Sequence, residues 1–214
     1  QNQHKKEQTS KDANWPVIIG HLFAFLSIAY GFFMDKTAET ILQQQYFSLE
    51  QIKYIRKNFR GIIYFDVHTL SRGVDNNLKR DFRPIPRIKE WLACIDILQC
   101  NESELKTIVQ YQNEINSAEK ILSLGPNILI ITKDECGAQV YYRFNGEVKN
   151  LFVNAVKVNS VNKIGCGDIF GAVFFYTYIS TNNILVSLNA ANKAGAIAAL
   201  RNDLISHPEM ELND

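Results

Sequence analysis

Ile128-Leu129-Ile130-Ile131-Thr132 limits what this chain can fold into more than any other segment. Its apolar residues do not alternate with polar ones. A strand of that kind is buried on both faces, which requires a sheet covered by helices on each side. Residues 95–98 read as a second buried strand, broken only by Asp96. Gly61-Ile-Ile-Tyr-Phe-Asp66 reads as a third buried strand, ending in a polar loop at Asp66, His68 and Arg72. Between the strands lie segments with helical spacing. The first covers 47–59, with Ser48 as N-cap and Glu50 and Gln51 in the first turn. Further helices are expected at 87–94, 102–111 and 113–124, the last ended by Gly125-Pro126. Residues 69–86 read as a loop. Residues 140–144 and 148–153, joined across Asn145-Gly146, have the pattern of a β-hairpin. Helices near 167–179 and 184–201 close the pattern. Alternating strands and helices imply a doubly wound, mostly parallel α/β sheet, with ligands at the carboxyl ends of the strands. Asp66, Asn101, Thr132 and Gly165 are all expected there.

Residues 162–178 carry the chemistry. Gly165 and Gly167 bracket Cys166, Asp168 follows at once, and an apolar helix rich in small residues continues. A glycine turn opening a helix presents unpaired N–H groups in one direction, at the positive end of the helix dipole. Such a site suits an anion, most often a phosphate. A carboxylate in the first turn can take a proton from whatever lies against that anion. Anion cradle plus base is the equipment of phosphoryl transfer to a hydroxyl. Gly167 is expected to need close backbone approach or a positive φ. A tight turn capped by Asp168 would account for the same residues without chemistry. Cys166 reads as a space-filler, and a helix N-terminus would lower its thiol pKa.

Asn162-Lys163-Ile164-Gly165-Cys166-Gly167-Asp168 resembles the second signature of the PfkB/ribokinase-like carbohydrate kinases, Asp-Thr-x-Gly-Ala-Gly-Asp before a helix. Three more segments agree in order. Residues 95–104 resemble the family's strand ending in Asn-x-x-Glu, here Asn101 and Glu104, although Asn101 could equally be an ordinary helix cap. Residues 127–138 resemble the strand ending in Thr-x-Gly-x-x-Gly-Ala, with Asp134 in place of the first Gly. Residues 188–200 resemble the late helix beside the adenine. The resemblance covers residues 60–202 and implies a ribokinase-like fold using ATP and Mg2+. It implies Asp168 as general base and the amides of Gly165, Cys166 and Gly167 as anion hole. It places Asn101 and Glu104 near magnesium and phosphate, and Thr132, Gly137 and Asn192 along the nucleotide. Asp66, His68, Arg72 and Arg83 are candidates for the acceptor side. Asn162 replaces an Asp that helps bind a monovalent cation in relatives, so that cation is in doubt. Lys163 replaces Thr and could screen phosphate charge or stand in solvent. The family's longer N-terminal region, with its lid and sugar contacts, is not recognisable before residue 60, so the fold is expected to be truncated there.

Composition narrows the partners. With 23 basic and 22 acidic residues and no basic block, nucleic-acid binding has no electrostatic support. Cys94, Cys100, Cys136 and Cys166 form no Cys-x-x-Cys pair and read as reduced thiols in a cytoplasmic protein. Residues 1–14 read as a disordered polar tail and 15–214 as one domain. Residues 15–34 contain no charge over a length sufficient to span a bilayer, against which stand Pro16, His21, Ser27 and two glycines. The sequence therefore supports an ATP-dependent kinase acting on a hydroxyl of a sugar or nucleoside. Two alternatives are a non-catalytic nucleotide-binding or interaction protein of the same fold, and a protein anchored in a membrane through 15–34. A homodimer is left open.

Overall fold

The run at 128–132 is the central strand of a five-stranded sheet in the computed structural model of the chain. The structure describes residues 48–200 except 69, 75–79, 112 and 160–162. The expected tail at 1–14, the uncharged stretch at 15–34 and Asn162 lie outside the described residues.

Helix α1 (Leu49–Asn58) opens the described chain. Its start is the expected capping box. Gln51 N–H donates to Ser48 Oγ at 3.2 Å, and Ser48 N–H donates to Gln51 Oε1 at 2.7 Å. Strand β1 (Tyr64–Asp66) follows, then β2 (Arg72–Val74) and β3 (Arg80–Phe82). The loop expected over 69–86 is thus in part an antiparallel ribbon, β2 with β3. Arg72 lies over the Phe82 ring at 5.4 Å, and Arg83 N–H donates to the Ser71 carbonyl at 2.8 Å. Short α2 (Ile88–Leu92) leads into β4 (Ile97–Asn101). This strand starts two residues later than expected, just after Asp96, whose carboxylate is engaged by the segment before β1 and by α1. That carboxylate accepts from Ile63 N–H at 2.7 Å and pairs with Arg56.

Helices α3 (Glu102–Ile108) and α4 (Glu114–Leu122) connect to β5 (Ile128–Thr132). A 3-10 turn (Asp134–Cys136) precedes the hairpin of β6 (Gly137–Phe144) and β7 (Glu147–Asn154). Helices α5 (Cys166–Thr181) and α6 (Ile184–Ala199) complete the described residues. The sheet order is β1-β4-β5-β6-β7, parallel from β1 to β5 and antiparallel through β6 and β7.

Side-chain alternation assigns the two faces. Ile97, Ile128, Ile130 and Val140 pack with Phe170, Phe174 and Leu188 of α5 and α6. Leu98, Cys100, Leu129, Ile131 and Tyr141 pack with α1 to α4 on the other face. Along α5, Phe170, Phe174 and Tyr178 stack at four-residue spacing, with centroids 6.5 and 6.0 Å apart. Phe174 is fully buried, so truncating it to Ala is expected to cost about 3–5 kcal/mol. The register puts the last residues of β1, β4 and β5 at one end of the sheet. Asp66 pairs with Gln99, and Asn101 pairs with Thr132. Among the described residues no helix is long and apolar enough to cross a membrane.

Candidate active site at the carboxyl ends of the strands

The glycine turn takes the conformation that its composition permits. Gly165 caps α5 with φ 77°, and a Cβ there would meet nothing within 4 Å. Its requirement is therefore conformational rather than steric. Gly167 differs from expectation: it lies inside the first turn of α5, and its φ is not positive. A Cβ on Gly167 would meet only Gln99 Nε2, at 3.8 Å. Any need for glycine at 167 comes from what approaches the turn, because the residue is exposed.

Asp168 is in the same first turn. Burial raises its carboxyl pKa, partly opposed by the nearby His68. A raised carboxyl is a better base at neutral pH than an ordinary Asp. The Cys166 thiol is also pushed up, first by burial and then by the Asp168 charge. This reverses the expectation that the helix end would lower it. Lys163 is not alone in solvent: its Nζ donates to Glu135 Oε1 at 2.9 Å, joining the turn to the 3-10 segment after β5.

Asp66 ends β1 beside this turn. Its carboxylate accepts from His68 N–H at 3.0 Å and from Gln99 Nε2 at 2.8 Å. Burial pushes its pKa up to about 7, opposed by the His68 amide and reinforced by the charges of Glu104 and Asp168. Glu104 is buried under the loop that follows β1. His68 Nδ1 lies 3.1 Å from its Oε1, and Arg72 Nη2 lies 3.9 Å from the same oxygen. Arg83, on the ribbon, lays its side chain across Gly73. Asp66, His68, Glu104, Arg72 and Asp168 therefore share one electrostatic neighbourhood.

Asn101 and Glu104 form a complete capping box. The Asn101 side-chain oxygen accepts from the amides of Ser103 (2.9 Å) and Glu104 (2.8 Å), and Glu104 Oε2 accepts from Asn101 N–H at 2.9 Å. Each Glu104 carboxylate oxygen accepts one of these hydrogen bonds or the His68 contact, which leaves it a further lone pair for an ion or its water. Among the described residues no group of three or more His, Cys, Asp or Glu converges on a metal position. Magnesium takes most of its ligands from phosphate and water when it arrives with a nucleotide.

The nucleotide-side candidates lie on β5, β6 and α6. Thr132 ends β5 and is half-buried. Gly137 opens β6, and a Cβ there would sit 2.0 Å from the Val153 carbonyl oxygen. Close packing against β7 already requires glycine at this position. Asn192 donates through Nδ2 to the Val153 carbonyl at 3.2 Å, fastening α6 to β7. Asp134, in place of the expected glycine, keeps a left-handed φ of 45°.

Sequence reasoning missed Gln99. It is 2% exposed and joins β1, β4 and α5. One polar amide inside an apolar strand was the available signal. It also missed Tyr64, whose hydroxyl donates to Gln99 Oε1.

Residues 41–210 match the profile of the pfkB family carbohydrate kinases. The chain is 28% identical over 119 residues to the ATP-dependent ribose-1-phosphate kinase of Halopiger xanaduensis, covering 56% of this chain and 38% of that protein. It is 26% identical over 133 residues to the deoxyribokinase of Salmonella typhi, covering 58% and 42%. The chain thus spans about two fifths of the length of these curated relatives. The ribokinase structure from Thermotoga maritima superposes with a TM-score of 0.58 at 22% identity, over 74% of this chain and 49% of that one. At that identity the likeness speaks to the fold alone. Because the family match runs through most of its residues, this protein belongs to the pfkB family of carbohydrate kinases.

Proposed function

We propose that the chain transfers the γ-phosphoryl group of ATP to a hydroxyl of a sugar or nucleoside. One observation carries the reading. Asp168, its carboxyl raised by burial, stands in the first turn of a helix that opens on a left-handed glycine, close to a strand-end cluster of polar residues. The amides of Gly165, Cys166 and Gly167 at the start of α5 would hold the charge of the transferred group. Asp168 would take the acceptor's proton as its oxygen attacks phosphorus. Thr132, Gly137 and Asn192 would line the nucleotide. Asp66, His68, Arg72 and Arg83 would hold the acceptor. A magnesium ion bound with the nucleotide would neutralise phosphate charge. Asn101 and Glu104 would fix the strand end and, through His68, the acceptor loop. The free cysteines suit a reducing cytoplasm.

A second reading is a nucleotide-binding protein without transfer. It is favoured by the engagement of the Glu104 carboxylate with His68 and the Asn101 amide. Thermal unfolding with added ligands separates the two. A ligand that binds only the native state raises stability by RT ln(1 + [L]/Kd), about 2.7 kcal/mol at 100 Kd. Both readings predict stabilisation by ATP with magnesium, whereas only the kinase reading predicts added stabilisation by a sugar or nucleoside. Loss of nucleotide stabilisation would overturn both.

A further inference from the structure

Gln99 is a full side-chain amide in the middle of the sheet, flanked by Leu98 and Cys100, both also buried. Burying an amide is costly unless its hydrogen bonds are met, and here the oxygen accepts one bond and the nitrogen donates two. Tyr64 Oη donates to Oε1, Nε2 donates to Asp66 Oδ2 at 2.8 Å, and Nε2 donates to the Gly167 carbonyl at 3.1 Å. The opposite wall is cut to fit. A Cβ on Gly171, one turn further along α5, would lie 2.8 Å from Tyr64 Oη and 2.9 Å from Gln99 Oε1. An alanine at 171 would force the Tyr64–Gln99 pair to move.

Through these contacts one side chain joins the end of β1, which carries Asp66, to the first turn of α5, which carries Asp168. We propose that Gln99, seated by Tyr64 and the bare backbone at Gly171, is a positioning residue that sets the placement of the Asp66 carboxylate relative to Asp168. The proposal rests on the kinase reading only for what that placement is used for. An apolar residue at 99 would fill the strand equally well, and only the amide reaches both the carboxylate and the helix turn. Asp66 faces His68 on its own loop, Glu104 with Arg72 from α3 and the ribbon, Asp168 from α5 and Tyr64 on its own strand.

The test compares Gln99→Met, Gly171→Ala and the double variant with the parent chain. Gln99→Met keeps volume and flexibility while removing the amide. Carboxyl 13C NMR follows the titration of Asp66 in each protein, and steady-state kinetics follow transfer from ATP. Loss of the Nε2 donor should move the Asp66 titration to higher pH in Gln99→Met, because a hydrogen bond to the carboxylate favours its charged form. Turnover should fall about tenfold or more with the KM for ATP unchanged. Gly171→Ala should shift the Asp66 titration in the same direction. The double variant should be no worse than Gln99→Met alone, since both changes break the same contact. An Asp66 titration unchanged in both single variants, or additive effects in the double, would overturn the proposal. If the parent transfers phosphate to no acceptor, the carboxyl titrations still decide the role of Gln99, and only the kinase reading falls.

Discussion

His68 Nδ1 lies 3.1 Å from Glu104 Oε1, and this contact joins the loop after β1 to the first turn of α3. The imidazole pKa is raised from 6.5, chiefly by its hydrogen bond to Glu104. For Glu104 burial acts upward, but the His68 side chain and the Asn101 amide outweigh it and hold the carboxyl below 4.5.

The pair has a defined pH signature. A raised folded-state pKa for His68 means that its contribution to stability is full below its unfolded value and is lost as pH rises through the folded value. The lowered Glu104 pKa means that its contribution is present above the unfolded value and is lost as pH falls through the folded one. The pair therefore stabilises most between about pH 4.5 and 6.5. His68→Gln keeps a donor toward Glu104 and removes the titration. Urea unfolding from pH 5 to 9 should show the parent losing its advantage over the variant above pH 6.5. Parallel stability curves would mean that the contact carries no charge.

Gly165 and Gly167 should fail differently. Gly165→Val places a branched residue at φ 77° and should destabilise the fold by roughly 1–2 kcal/mol. Gly167→Val meets only one side-chain atom, 3.8 Å from its Cβ, so its melting temperature should hold. Its affinity for ATP should drop, because the new side chain projects where phosphate is proposed to lie. Paired measurements of melting temperature and ATP affinity check both. Unchanged ATP affinity in Gly167→Val would make the turn a structural cap.

Asp134 occupies a left-handed conformation at φ 45° where glycine is the less strained residue. Asp134→Gly should raise stability by about 0.5–1 kcal/mol. That should appear as a higher urea midpoint with an unchanged slope. A lower midpoint would show that the Asp134 carboxylate contributes more than its backbone strain costs.

Local signals were the legible ones. The strand at 128–132 has the bounds its apolar run suggested. The Asn145-Gly146 tip has positive φ at both residues, 51° and 82°, as a two-residue hairpin demands. Ser48 and Gln51 spell out their own capping box. The β2–β3 ribbon was not legible, because its three-residue strands lack periodicity and are held by contacts such as Arg72 over Phe82. The candidate site was legible as residue types at strand ends. Its wiring was not. That Glu104 would be sealed by His68, or that Gln99 would reach from β4 to α5, depends on contacts across more than thirty positions, 36 and 68 residues apart.

The central claim is phosphoryl transfer with Asp168 as base, and transfer of labelled γ-phosphate from ATP to a panel of pentoses, hexoses and nucleosides tests it most directly. The parent chain and Asp168→Asn should bind ATP with similar affinity, because the amide keeps the size of the carboxyl and leaves the backbone of the Gly165 turn unchanged. The parent should form a phosphoester on at least one acceptor, and Asp168→Asn should form it about 10²- to 10⁴-fold more slowly. Equal rates in the two proteins, or ATP binding with no labelled acceptor from either, would contradict the account.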